Sequence, residues 1–226
     1  MKFAQRTLLE TKPARGPISL LTLIDFSRYT RLVLAGMLLI GCGMQNPPEA
    51  ATTKQTPAEE EKAAFVPADF EPPVLVEPDG FILKPLGPGV MNVDYEAYMS
   101  SIEHLQKTFT RSTNWPREGL TLEEAAEDMA NEKRRFDTRE SFAYAVLTPD
   151  GARERGCVYV RPSSKAGYEA AVRLWVTKAE FDAGFDAILY AWTTDWIDSE
   201  WPFEKVAYPG REIPWEEWEA LPEQTH

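Results

Sequence analysis

"SFAYAVLTPDGARERGCVYV", residues 141–160, decides the fold. Its first seven residues, SFAYAVL, alternate in the manner of a β-strand. TPDGARE then supplies Pro149, Asp150 and Gly151, the residue types of a tight turn. GCVYV (156–160) is the next strand, and so short a connection makes the pair antiparallel.

Working outward, AAVRLWV (170–176) reads as a third member of the same meander, and KVAY (205–208) as a strand broken by Pro209-Gly210. FILKPL (81–86) is a short strand stopped by Gly-Pro-Gly. Between it and residue 141 the period changes. Asp94 can cap a helix whose apolar positions are Tyr95, Tyr98, Met99, Ile102, Leu105 and Phe109, a three-to-four spacing. WPREGL (115–120) is loop, and Thr121-Leu-Glu-Glu124 is a capping box. It opens a helix with Leu122, Ala125, Met129 and Phe136 directed inward. DAILYAWTTDWI (186–197) is a further helix, with Ile188, Leu189, Trp192 and Trp196 on one face, and PWEEWEAL makes a last helical turn. The expected class is α+β: one domain with a mixed, mostly antiparallel sheet flanked by helices, over residues 74–226, with no internal repeat.

The preceding residues differ in kind. Residues 43–73 are rich in Pro, Ala, Thr and Glu, without apolar period, and predict a disordered tether. Before them, Leu32–Ile40 is a nine-residue apolar run behind Arg28 and Arg31. A membrane-spanning helix needs roughly 20 apolar residues, whereas the core of a secretory signal needs about 7–15. Leu39-Ile40-Gly41-Cys42 resembles the bacterial lipobox, in which the cysteine is lipidated and the chain is cut before it. The resemblance implies a lipoprotein signal peptide over 1–41, a tether from Cys42 to residue 73, and a lipid-anchored protein in the bacterial cell envelope. The long stretch ahead of the apolar run suggests a start nearer residue 20. If the signal segment is spurious, the chain stays in the cytoplasm.

Six basic residues against Glu10 and Asp25 give residues 1–41 a net +4, so the net −12 of the chain leaves −16 on residues 42–226. That charge opposes binding to nucleic acid or anionic lipid by electrostatics alone. Cys157 is the only cysteine after Cys42, so the mature chain cannot close an internal disulfide. Two histidines, His104 and His226, make a zinc site improbable, and no metal is expected.

The order β-α-α-β-β-β-α-β resembles the GNAT superfamily of acyl-CoA N-acyltransferases. The residues that carry it are FILKPLGPGVMNVDYEAY, FAYAVLTPDGARERGCVYV and RLWVTKAEFDAGFDAILYAW. Together with WPREGLTLEE and WPFEKVAYPGREIPWEEW they also look like a group of small bacterial GNAT-like proteins without an assigned substrate. The resemblance covers about residues 78–221. It implies acyl transfer from acetyl-CoA or another acyl-CoA to an amine, with the donor along the strand ending at Val176 and its pyrophosphate on the loop after it. Amide donors at a helix N-terminus bind such an anion. The matching loop here is Phe181-Asp-Ala-Gly-Phe-Asp186, followed by Ala187, so Val176, Gly184, Phe185 and Ala187 are the cofactor-binding candidates.

Only Gly184 keeps the superfamily pattern. Asp182 and Asp186 put carboxylates where phosphate should sit; like charges at about 4 Å and an effective dielectric near 20 repel by roughly 4 kcal/mol unless neutralised. The same acids suit a helix start equally well. Tyr208 lies where relatives place a tyrosine that protonates the leaving thiolate, or it is a half-buried strand residue. Glu169 is a general base beside the central strand, or a solvated loop glutamate. Cys157 reads as a small buried hydrophobe rather than a nucleophile, no histidine being near it in sequence. Trp215 and Trp218 could line an aromatic groove in the acidic tail. Two functions follow: an N-acyltransferase, or a lipoprotein that has lost the acyl-CoA site and binds another ligand in the same cleft.

Overall fold

A computed structural model describes residues 64–224. The signal segment, Cys42 and most of the expected tether lie outside the described residues.

Five strands form one sheet in the order β1-β2-β3-β4-β5. They are β1 (Ile82–Pro85), β2 (Phe142–Leu147), β3 (Glu154–Pro162), β4 (Ala170–Val176) and β5 (Val206–Ala207). The first four pair antiparallel, and β4 pairs β5 in parallel. The helices are α1 (Met91–Met99), α2 (Ile102–Leu105), α3 (Leu122–Asp137), α4 (Lys178–Asp182), α5 (Phe185–Glu200) and α6 (Trp215–Ala220), with a π turn over Gln106–Thr110. The expected α+β class and mostly antiparallel mixed sheet are present. The β2–β3 turn closes as its residues imply: Gly151 N–H donates to Thr148 O at 2.7 Å, and Asp150 Oδ1 accepts from Thr148 Oγ1 at 2.6 Å and Ala152 N at 3.0 Å.

Strand alternation sorts the core into two layers. Phe142, Tyr144, Val146, Val158, Val160, Val172, Leu174 and Val176 face α5, whose Phe185, Leu189, Trp196 and Ile197 pack on them. Ala143, Ala145, Leu147, Cys157 and Trp175 face the other way, against Tyr98 of α1 and Ala125 and Met129 of α3. The Thr121 capping box forms, with Thr121 Oγ1 accepting from Glu124 N at 3.2 Å and Glu124 Oε2 from Thr121 N at 2.9 Å.

Three expectations need correction. The tether does not extend to residue 73. Val66 is buried in the α5-side core, Phe65 stacks on Phe142 at 5.9 Å and Phe203 at 5.0 Å, and Phe70 lies 5.2 Å from Trp201. Arg139 fixes that segment by donating to Pro67 O and Phe70 O, each at 2.6 Å. Asp94 does not cap its helix: α1 begins at Met91, which leaves Asp94 3% exposed within the first turn. Leu122 and Ile188 point outward, at 52% and 59% exposure, because α3 and α5 present neighbouring positions to the sheet.

Candidate functional site

The sheet is split on one edge. β4 and β5 pair only through Ala170↔Val206 and Ala171↔Ala207. Beyond that point, among the described residues, no strand pairs with β4 on its β5 side. Val172, Arg173 and Leu174 instead face a narrow cavity closed opposite by Tyr208, Pro209, Gly210 and Arg211, with Tyr190 and Trp215 at its sides. Pro209-Gly210 ends β5, and Gly210 takes φ +78°, a conformation that costs glycine little. The turn sends the chain back against Trp215, and the cavity shrinks to about 20 Å³.

The start of α5 is tied across this split. Gly184 caps it at φ +80° without a side-chain bond. Asp186, in the first turn, receives Arg211 Nη1 on Oδ2 at 2.6 Å and Nη2 on Oδ1 at 2.7 Å. Hydrogen bonding to Asp186, against the cost of burial, raises Arg211 above its ordinary pKa. The Arg211 guanidinium also lies 5.2 Å from the Tyr190 ring, and the Tyr208 ring meets Tyr190 edge-on at 5.8 Å. The repulsion expected from Asp186 is therefore cancelled by a cation from the far side of the split. Asp182 is likewise paired, with Lys178 at 2.6 Å.

A wider cavity of about 210 Å³ adjoins the split and shares Phe109, Arg173, Pro209 and Trp215 with it. Arg161, Tyr159 and Trp218 also line it, with Pro162, Ser164 and Ala171. Arg173 divides the two spaces. Its guanidinium sits 4.3 Å from the Phe109 ring and 4.9 Å from the Trp215 ring, and it donates to Phe109 O. Burial first, then the Arg161 charge, lowers Arg173 to about 10, so it remains a cation at neutral pH. Among the described residues, neither cavity is lined by a carboxylate or an imidazole. Such walls suit an anionic or planar ligand, through cation and ring faces.

The residues named from sequence fall in different places. Tyr208 lines the split; it is buried, and desolvation pushes its phenol well above the usual range. Val176 is buried at the end of β4. Phe185 is also buried, with the Arg155 guanidinium 3.4 Å above its ring and Phe81 edge-on at 5.4 Å. Gly184 and Ala187 are exposed. Glu169 is elsewhere: its Oε2 accepts from Glu204 N at 2.6 Å and Lys205 N at 3.0 Å, bracing the approach to β5 rather than facing the split. It borders a separate surface hollow with Phe65 and Arg139. Trp215 and Trp218 do line a groove.

Sequence reasoning passed over Arg173 and Arg211. Lys205 and Arg211 are the only lysine and arginine after Lys178, and an arginine in so acidic a tail was the available signal. Cys157 is buried, as expected, but it touches two acids: its thiol donates to Glu154 Oε1 at 3.0 Å and to Asp94 Oδ1 at 3.6 Å. Burial, followed by the Glu154 and Asp94 charges, holds the Cys157 thiol well above its usual range, which removes it as a nucleophile.

No protein-family model and no curated protein sequence matches the chain. Among solved structures it is similar to ribosomal-protein-S5-alanine acetyltransferase from Vibrio fischeri, at 13% identity and TM-score 0.43, over 55% of this chain and 67% of that one. It is also similar to the ribosomal L7/L12 alpha-N-protein acetyltransferase RimL, at 15% identity and TM-score 0.41, over 56% of this chain and 64% of that one. The fold stands on its own strand order and register.

Proposed function

We propose that the domain is an N-acyltransferase of the GNAT type, taking an acyl-CoA as donor and an amine as acceptor. The observation that carries this reading is the split between β4 and β5, parallel strands joined through α4 and α5 and paired over only two residues each. The unpaired edge of Val172–Val176 offers backbone groups to an extended donor, and the start of α5 lies at its end. An acyl donor entering there would take over Arg211, which now binds Asp186, and the freed guanidinium would pair with phosphate. Tyr208 lines the same split and stays protonated, so its O–H can donate a hydrogen bond to a departing thiolate, although burial makes it a weaker acid than a free phenol. The acceptor would enter through the wider cavity beside Arg173. The amine would attack as the free base, and the proton it releases on acylation would pass to water.

A second reading is favoured by one specific feature. With the split reduced to about 20 Å³ and its cation already engaged, the same framework suits a non-enzymatic binding protein using the aromatic, arginine-lined cavity. Calorimetry with acetyl-CoA separates the two. The unaltered chain is expected to bind at about millimolar, roughly −4 kcal/mol, because the Arg211–Asp186 pair must first open. Asp186→Asn releases Arg211 and should tighten binding at least about tenfold, or 1.4 kcal/mol. No saturable binding by either protein would give the second reading.

Both readings share an exported, lipid-anchored protein, supported by the short apolar run and Leu39-Ile40-Gly41-Cys42. Mass spectrometry of the native protein should find a chain that begins at a modified Cys42. Cys42→Ser should abolish processing and detergent-phase partitioning; unchanged partitioning would remove the anchor.

A further inference from the structure

The side of the sheet away from α5 contains a polar cluster that the acyl-transfer reading does not use. Asp94 comes from the first turn of α1, Glu154 and Cys157 from β3. In a regular strand, residues three apart face opposite sides. Here the register passes from Val146↔Gly156 to Leu147↔Glu154, so Arg155 is an extra residue in β3. That bulge turns Glu154 onto the side of Cys157, the re-aiming for which bulges are known. One ligand atom from each of Asp94, Glu154 and Cys157 then lies within 4.8 Å of the others. The three residues are 3%, 1% and 0% exposed.

Among the described residues the cluster has no cationic partner: its polar contacts are internal, the Cys157 thiol to both acids and the two carboxyl groups to each other. Among the described residues, neither Asp94 nor Glu154 takes part in an ion pair. Glu154 Oε1 accepts the Cys157 thiol, but Oε2 of the same carboxyl group is buried with no hydrogen-bond partner. A buried oxygen left without a partner is destabilising, and more so when charged. Two acids and a thiol in the apolar layer that holds Tyr98, Met129 and Trp175 are poorly accounted for as packing.

We propose that Asp94, Glu154 and Cys157 form a binding site for one zinc-class divalent ion. A thiolate with two carboxylates selects zinc or a neighbouring transition metal over calcium and magnesium, which take oxygen ligands. Zn–S near 2.3 Å and Zn–O near 2.0 Å place tetrahedral ligand atoms roughly 3.3–3.5 Å apart. The Sγ distances of 3.0 Å to Glu154 Oε1 and 3.6 Å to Asp94 Oδ1 bracket that spacing. Bidentate binding by Glu154 would bring its orphan Oε2 in as a further donor, giving a distorted set rather than a regular tetrahedron. The scarcity of histidine argues against a histidine site, not against this one. Binding displaces the thiol proton and any carboxyl proton to solvent, so uptake is favoured by rising pH. The closed setting makes the ion a structural tie between α1 and β3, independent of any acyl transfer.

The full chain, purified without chelator, should contain about one equivalent of zinc by plasma mass spectrometry. After unfolding with chelator and refolding with Co²⁺, it should show a thiolate-to-cobalt charge-transfer band in the near ultraviolet. Cys157→Ala is a mild truncation at a buried position and should remove that band while weakening cobalt binding by about a hundredfold or more. Wild-type protein refolded with Zn²⁺ or Co²⁺ that takes up no stoichiometric metal would overturn the proposal. So would a near-ultraviolet band that survives in Cys157→Ala, since the thiolate would then come from elsewhere.

Discussion

Gly156→Ala is expected to cost more than about 4 kcal/mol, enough to move most of the chain into the insoluble fraction. A Cβ on Gly156 would stand 2.0 Å from the Trp175 carbonyl oxygen and 2.8 Å from Val176 Cα. Both obstacles are backbone of β4, so no rotamer change relieves them. β3 is hydrogen-bonded on both sides, to β2 and β4, and cannot swing aside without opening one ladder. Gly156 also adjoins the bulge at Arg155, so displacement would separate Glu154 from Cys157 and unseat Arg155 from Glu180. Urea denaturation of whatever soluble protein remains is the measurement. A midpoint within the equivalent of about 0.5 kcal/mol of wild type would mean that β3 and β4 do not approach this closely.

The strands were legible because each carries its own pattern. AAVRLWV is bounded by polar loop and by Thr177, and β4 runs over the residues so marked, Ala170–Val176. The capping box at Thr121 is a local device, readable without tertiary knowledge, and it fixed the start of α3. What escaped depends on partners distant in sequence. Phe65, Val66 and Phe70 stand among prolines and acids, and averaging over the segment concealed three residues that find Phe142, Phe203 and Trp201 in the fold. The bulge at Arg155 leaves no mark in the alternation of GCVYV, and without it Glu154 and Cys157 belong to opposite faces. Asp94 was legible as a helix-start residue, but its place inside the first turn depends on where α1 meets β3. Of the candidate site, the strand edge and Tyr208 were visible. The Arg211–Asp186 pair was not, because the two residues lie 25 apart and meet only when β5 returns beside α5.

Loss of the Glu180 carboxylate is the second large expected effect. Glu180, on the five-residue α4, is 6% exposed. It accepts Arg155 Nη2 at 2.6 Å, Arg155 Nε at 3.0 Å and Arg153 Nη2 at 2.7 Å. Arg155 in turn donates to Gly80 O at 3.0 Å and covers the Phe185 ring, so a single carboxylate joins the entry to β1, the bulged part of β3, α4 and the start of α5. Removing one partner of a buried pair costs about 3–5 kcal/mol, most of it from the charge left behind. Since the Arg153 side chain is 57% exposed, Glu180→Ala belongs at the lower end, about 3 kcal/mol. The pH dependence separates charge from packing. Burial pushes the Glu180 carboxyl upward, but its hydrogen bonds to Arg155 and Arg153 and their charges carry it below the usual carboxylate range. With the folded-state pKa depressed, the unfolded chain binds the proton first on acidification. The stabilisation is therefore fully present above the unfolded value of about 4.5 and is lost as pH falls through the lower, folded one. In Glu180→Gln the shape persists without the charge, so its stability deficit relative to wild type should be largest near pH 7 and shrink towards pH 3. A deficit that stays constant across that range would show that Glu180 acts by packing alone and that the two arginines are held by something else.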